Sequence, residues 1–166
     1  EAWLDGDTVN ASIGHGFMLA TPMQLAVMTA RLASNGKMIS PRLLRDIDGV
    51  PTEPENETSD VLEIDTPHWD YVHQAMQDVV HSPKGTANKI SRGLSYKMAG
   101  KTGTSQVRRI SMKEREEGII KNEDLPRKMR DHALFVGYFP YDRPRFAFSV
   151  IVEHGGSGSK TAAPIA

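Results

Sequence analysis

The run Tyr96–Val107 (YKMAGKTGTSQV) decides how this chain is read. Its apolar and small residues predict a β-strand, yet Lys101-Thr102-Gly103-Thr104 places an ammonium, two hydroxyls and a glycine in the middle of it. A buried core strand has no use for that set. It suits one wall of a site that receives an anionic, carbonyl-bearing substrate. No nucleophile motif accompanies it, and the chain begins at Glu1. The expectation is one half of an active-site domain, with the other half outside this chain.

Two further strands follow. Ala133–Phe139 is almost wholly apolar, and Phe146–Val152 is apolar on both of its alternating faces. Such strands predict a sheet covered on both sides. The turn residues Pro140–Pro144 between them predict an antiparallel hairpin. Upstream, residues 21–36 read as a helix. Thr21 and Gln24 form a capping box, Pro22 suits the first turn, and Leu25, Met28 and Leu32 recur at helical spacing. Gly36 suits the left-handed position past its end. A second helix spans 67–82, with Thr66 as its cap. Its apolar face is Trp69, Val72, Met76 and Val79, and Pro83 and Gly85 end it. Gly155–Gly158 breaks the last strand, and another helix is expected to start near Thr161. The fold class is therefore α+β: an α/β sandwich with an antiparallel sheet flanked by helices.

Charge is segregated along the chain. Eight acidic residues and no basic ones lie between Asp46 and Thr66, in a stretch that also holds prolines and a glycine. It reads as an exposed, hairpin-like excursion. Between Lys84 and Asp131 the balance reverses, with thirteen Lys or Arg against six Asp or Glu. Residues 108–131 are too long for an ordinary hairpin loop. A partly helical insertion beside the site is expected there, with Glu117 and Lys121 at pairing distance and a flap or partner contact as its functional option.

Bulk properties narrow the function classes. The 166 residues fit one domain or a large part of one, and a net charge of −1 argues for neither nucleic acid nor a membrane surface. The absence of cysteine excludes disulfides, thiolate metal sites and a Cys nucleophile. His68, His73 and His81 share a helix at spacings that do not converge on one metal, and His132 and His154 bracket the hairpin. They read as surface or strand-end residues, with no metal and no cofactor. A phosphate-binding loop ending at Gly100-Lys101-Thr102 fails, because Ser95 stands where its first glycine belongs and the strand runs through the motif. A Ser-x-x-Lys nucleophile has two formal matches. Ser34–Lys37 crosses a helix end and Ser157–Lys160 lies in a glycine-rich break, so neither is expected to have the helical turn that activates a serine. No Ser-x-Asn tripeptide occurs.

Several stretches then converge. Gly14-His-Gly16 with Thr21-Pro22-Met-Gln24-Leu25, the turn Gly85-Thr86-Ala87, the motif with its flank 101–107, Arg130-Asp131-His132 and Glu153–Gly156 occur in this order. Together they resemble the C-terminal part of the transpeptidase domain of class B penicillin-binding proteins, of the elongation type. The resemblance covers nearly the whole chain, residues 1–166. It implies a penicillin-binding-protein/β-lactamase-like fold and a serine acyltransferase that cross-links peptidoglycan stem peptides ending in D-Ala-D-Ala. β-Lactams would be trapped as acyl-enzymes. It implies Lys101 and Thr104 as catalytic residues, and Thr102, Gly103, Thr104, Ser105 and Gln106 as substrate-binding. The hydroxyls of Thr102 and Thr104 would hold the substrate carboxylate, and the Thr104 N–H would be an oxyanion donor. Gly103 would let a peptide lie against the strand, and Gln106 would sit at the rim of the cleft. The nucleophile and the Ser-x-Asn motif would lie N-terminal to this chain. So would an anchor holding the parent at the periplasmic face of the bacterial inner membrane, beside the cell-wall elongation machinery. The chain alone would be inactive. A β-lactamase or D,D-carboxypeptidase shares the strand motif, and a noncatalytic β-lactam sensor or scaffold would keep a relic of the cleft.

Overall fold

The computed structural model describes residues 3–16, 18–52 and 61–166. Its centre is a three-stranded antiparallel sheet in the order β3 (Ala99–Ser105), β4 (His132–Phe139), β5 (Phe146–Val152). The register pairs Thr102 with Phe135 and Phe135 with Val150. The hairpin between β4 and β5 is therefore as expected. The motif strand is shorter than the apolar run: Tyr96 lies outside it and stacks on Phe139, 5.2 Å between ring centroids.

Both faces of the sheet are covered. On one face Ala99 and Tyr138 pack with Met76 of α3 (Thr66–His81) and with Leu32 and Ala33 of α2 (Pro22–Ala33). On the other, Ala133 and Phe135 pack with Val80, Ala87, Met98, Ala162 and Ala163. Phe135, Tyr138, Met98 and Val80 are fully buried. Each such side chain stabilises the fold by about 1.5–3 kcal/mol relative to exposure. The expectation of an α/β sandwich is met.

The capping box of α2 is present: Thr21 Oγ1 accepts from the Gln24 N–H at 3.2 Å, and Gln24 Oε1 accepts from the Thr21 N–H at 2.8 Å. Past its end, Asn35 takes the left-handed conformation (φ 55°) one residue before Gly36 (φ 85°). The Gly36 N–H bonds Arg31 C=O and the Asn35 N–H bonds Leu32 C=O, so the closing turn belongs to Asn35. Met28 is exposed, and the buried member of the helix is Thr29, whose hydroxyl returns to Leu25 C=O.

Helix α3 differs from expectation in two ways. Thr66 is its first residue, and Asp65 is the N-cap. Its buried residues are Trp69, Met76 and Val80, while Val72 is exposed and Val79 is only partly buried. Trp69, Met76 and Val80, at spacings of seven and four, form the buried face, and Val72 and Val79 lie on its flank.

The acidic excursion opens as a short hairpin, β1 (Asp46–Ile47) with β2 (Val50–Pro51), turning through Asp48 and Gly49 at positive φ. Residues 53–60 of it lie outside the described residues, and beyond them Val61 forms an antiparallel bridge with Lys37. The N-terminal α1 (Asp5–Ser12) buries none of its residues. Residues 108–131 hold α4 (Met112–Glu117) and two 3-10 turns, so the segment is partly helical. Glu117 pairs with Lys113 at 3.7 Å and not with Lys121, because Gly118 ends the helix first. The final helical segment starts at Gly158, three residues before the expected Thr161.

Three histidines are structural ties. His81 Nε2 accepts from the Met98 N–H at 3.1 Å. His132 Nδ1 accepts from the His154 N–H at 2.9 Å. His73 sits between Tyr138 and Asn35: its Nε2 donates to Asn35 Oδ1 at 2.9 Å, and Nδ1 accepts from the Tyr138 hydroxyl. Burial lowers the His73 pKa below its usual value, against a smaller opposing pull from Asp70. The unfolded chain thus binds a proton more readily than the fold does. The stability from this group is full above about pH 6.5 and is lost as pH falls through the lower folded pKa. Thermal melts across about pH 7 to 5 should show a decline that flattens in His73→Gln. An identical pH slope in the two proteins would rule out His73 as its source.

Candidate active site

The site is built from the edge of β3. Residues of a strand alternate in the side to which their N–H and C=O point. The Met98 N–H points away from β4, to His81 of α3. By the same alternation the backbone groups of Gly100, Thr102 and Thr104 face that side. The Lys101 ammonium reaches the Thr102 carbonyl there, at 2.7 Å. Among the described residues no strand pairs with this edge. Helix α3 covers its beginning, and the stretch from Thr102 to Ser105 is left open.

Side chains alternate between the sheet faces in the same way. Thr102 and Thr104 share a face, and Lys101, Gly103 and Ser105 share the other. Thr102 is half-buried, whereas Lys101, Thr104, Ser105 and Gln106 are exposed. The Thr102 hydroxyl hydrogen-bonds the Thr86 hydroxyl at 3.0 Å. Thr86 lies in the turn after α3, where the Ala87 N–H bonds Val79 C=O at 2.9 Å. A Cβ on Gly85 would meet Asp78 O at 2.3 Å, so only glycine permits this turn to fold back on the helix. The structure thereby joins Thr86 to the motif residues.

Gly103 is required less by its own packing than its neighbour is. A Cβ there would approach only the Leu134 Cβ, at 3.3 Å. A Cβ on Gly158 would lie 2.4 Å from both Gly103 O and Leu134 O. The terminal helical turns thus back directly onto the β3–β4 pair. Sequence reading passed over Gly158 as a strand breaker; the signal available was the glycine run itself.

The formal Ser157–Lys160 match needs correcting. A helical turn does begin there, because Ser157 caps it by accepting from the Lys160 N–H at 3.4 Å. Its hydroxyl also contacts the Ser159 hydroxyl. Among the described residues no serine hydroxyl is hydrogen-bonded to a lysine amine, and no cluster of His, Asp or Glu could hold a metal. No helix among them is long and apolar enough to cross a membrane.

Beyond Gln106 two contacts brace the segment 108–131 internally. Arg108 makes two hydrogen bonds to Glu114, at 2.6 and 2.7 Å, which holds the Glu114 carboxyl below its usual pKa. Asn122 bridges to Asp131 through its side chain and to the Asp131 N–H. Gln106 lines two concavities here, one of about 60 Å³ with Arg108 and Ile120 and one of about 580 Å³ with Arg109 and Arg115.

Residues 1–166 match the penicillin-binding protein transpeptidase domain along their whole length. The chain belongs to this family. It is 39% identical over 167 residues to the peptidoglycan D,D-transpeptidase MrdA of Haemophilus influenzae, covering 99% of this chain and 25% of that protein. Among solved structures it resembles Pseudomonas aeruginosa PBP2 in complex with WCK 5153, at 43% identity and TM-score 0.79, over 99% of this chain and 32% of that one. It also resembles Helicobacter pylori PBP2 in complex with MreC, at 27% identity and TM-score 0.75, over 99% and 26% respectively. The chain thus spans about a quarter of the length of the curated relatives it matches.

Because Gly158 meets backbone and not a flexible side chain, Gly158→Ala should destabilise the domain by about 1–3 kcal/mol. It should also slow any reaction that uses the Gly103 strand. Chemical denaturation of the two proteins is the check; equal midpoints would mean that the terminal turns can step back freely.

Proposed function

We propose that this chain supplies the motif-strand wall of a peptidoglycan D,D-transpeptidase, within a protein of its relatives' length. The observation that carries the reading is the open edge of β3. The hydroxyls of Thr102 and Thr104 lie on one face of that edge, and the Lys101 ammonium lies beside it.

A donor stem peptide ending in D-Ala-D-Ala would add to this edge as an antiparallel strand. Its terminal carboxylate would accept from the Thr102 and Thr104 hydroxyls, with Lys101 supplying positive potential. Thr86, bonded to Thr102, would hold that hydroxyl in place. A serine Oγ from another part of the protein would attack the penultimate D-Ala carbonyl. The oxyanion would form against the Thr104 N–H, which is preset toward the open side. The C–N bond to the terminal D-Ala then breaks, and that D-Ala leaves with the proton on its amine. An acceptor amine takes the acyl group and regenerates the serine. Lys101 would assist the proton relay. Gly103 would keep the strand surface clear, and Ser105 and Gln106 would contact the donor farther from the scissile bond. β-Lactams, with a carboxylate and a strained amide in the donor's positions, would stop at the acyl stage. No cofactor or metal enters this chemistry.

The relatives' chemistry supports a setting where peptidoglycan lies: the protein would work at the periplasmic face of the inner membrane, held by an anchor elsewhere in the protein. The Helicobacter pylori relative was captured with MreC. A corresponding component of the elongation machinery is the protein partner we propose.

In the full-length protein, Lys101→Ala and Thr104→Val each remove a group aimed at the donor carboxylate, a charge-assisted contact of about 1.5–3 kcal/mol, while the Thr104 N–H stays in place; acylation by benzylpenicillin should slow by about tenfold or more. Both side chains are exposed, so stability should shift by no more than about 0.5 kcal/mol. Stopped-flow acylation and thermal melts test this together. Unchanged acylation rates would sink the role assignment.

A further inference from the structure

The donor's direction along β3 leads to a second contact. With its C-terminal carboxylate at Thr102 and its scissile carbonyl at Thr104, the peptide runs back toward its N-terminus past Ser105 and Gln106. At about 3.3 Å per residue, two or three residues before the scissile bond bring the donor to the end of the strand. There it meets a groove of about 580 Å³ lined by Gln106, Arg109, Ile110, Ser111, Met112 and Arg115.

No carboxylate lines this groove. Of the acidic groups of α4, Glu114 is held by Arg108 and Glu117 pairs with Lys113, while Glu116 is exposed outside the groove lining. Arg109 and Arg115 are exposed, and among the described residues neither guanidinium has a hydrogen-bond or ion-pair partner. Arg108 shows the contrast, since both of its terminal nitrogens are occupied. The Arg108–Glu114 pair ties the strand exit to α4, the helix that carries Arg115, and so holds the groove's two sides together. Two uncommitted guanidinium forks over Ile110 and Met112 match a side chain with an aliphatic stem and a carboxylate end.

We infer that Arg109 and Arg115 bind a free carboxylate on the stem peptide, on the second or third residue before the scissile bond. The inference rests on the acyl-transfer reading above. It makes the insertion a specificity wall that selects donors carrying that charge, with Gln106 bonding the peptide backbone at its entrance.

The test uses the full-length protein and competition against acylation by a fluorescent penicillin. Two D-Ala-D-Ala peptides serve as competitors, identical except that the carboxylates at those two positions are free in one and amidated in the other. The wild type should bind the acid peptide more tightly. In the Arg109→Ala/Arg115→Ala double variant the inhibition constant of the acid peptide should weaken by about tenfold, the size of one partly exposed charge-assisted contact. The amidated peptide and the acylation rate without competitor should be unchanged, and Arg109→Lys/Arg115→Lys should restore part of the preference. Equal affinities for the two peptides in the wild type would overturn the inference. So would equal losses for both peptides in the double variant, which would mean a change of groove shape. If the wild type is not acylated at all, the transpeptidase reading fails first and takes this contact with it.

Discussion

The structure depends on β3 being paired along one edge and open along the other. Strand β4 satisfies one set of its backbone groups from Ala99 to Ser105. The opposite set begins on His81, which takes the Met98 N–H; farther on the Thr102 C=O takes the Lys101 ammonium, and among the described residues no strand pairs with it. An exposed strand edge is ordinarily a liability, because it can template pairing with any other chain. Here the exposed part is short and carries an ammonium, two hydroxyls and a serine. These resist nonspecific pairing, and in the proposed reaction they are the donors for a carboxylate and a carbonyl.

Everything around that edge serves to hold it in position. Helix α2 and Met76 of α3 cover one sheet face, and Val80, Ala87 and the terminal turns cover the other. Two glycines permit the closest approaches: Gly85 lets the Thr86 turn return to α3, and Gly158 lets the terminal turns lie on the Gly103 backbone. The edge is therefore rigid where a substrate would bind. The segment after it is braced by Arg108–Glu114 and by Asn122–Asp131, and its Arg109 and Arg115 have no partner among the described residues. Rigid backbone beside adaptable cationic side chains is a sound arrangement for separating chemistry from selectivity.

What could be read from the sequence was what is local. The Thr21–Gln24 box and the β4–β5 hairpin each follow from residues close in sequence, and the structure has both. The strand motif and its ordered neighbours led to the family, and the match over residues 1–166 shows that family. What escaped was set by distant contacts. Val80 enters the core in place of Val72 because Trp69, Met76 and Val80, spaced seven and four, share the face turned inward, and Val72 lies on its flank. His73 and His81 read as surface residues, yet they bond groups in β4 and ahead of β3, 65 and 17 positions away. Gly158 looked like a strand breaker, and its partner Gly103 is visible only once the terminal turns have folded back. Thr86 was seen as part of a recurrent turn, but its bond to Thr102 needed the fold.

The central claim is that the open edge of β3 receives the donor. A crystal structure of the full-length protein acylated by benzylpenicillin tests it most directly. The account predicts the adduct lying along β3, with its carboxylate within hydrogen-bonding distance of the Thr102 and Thr104 hydroxyls and its carbonyl oxygen on the Thr104 N–H. An adduct seated away from this strand, or a β3 edge already paired with another strand of the protein, would contradict it.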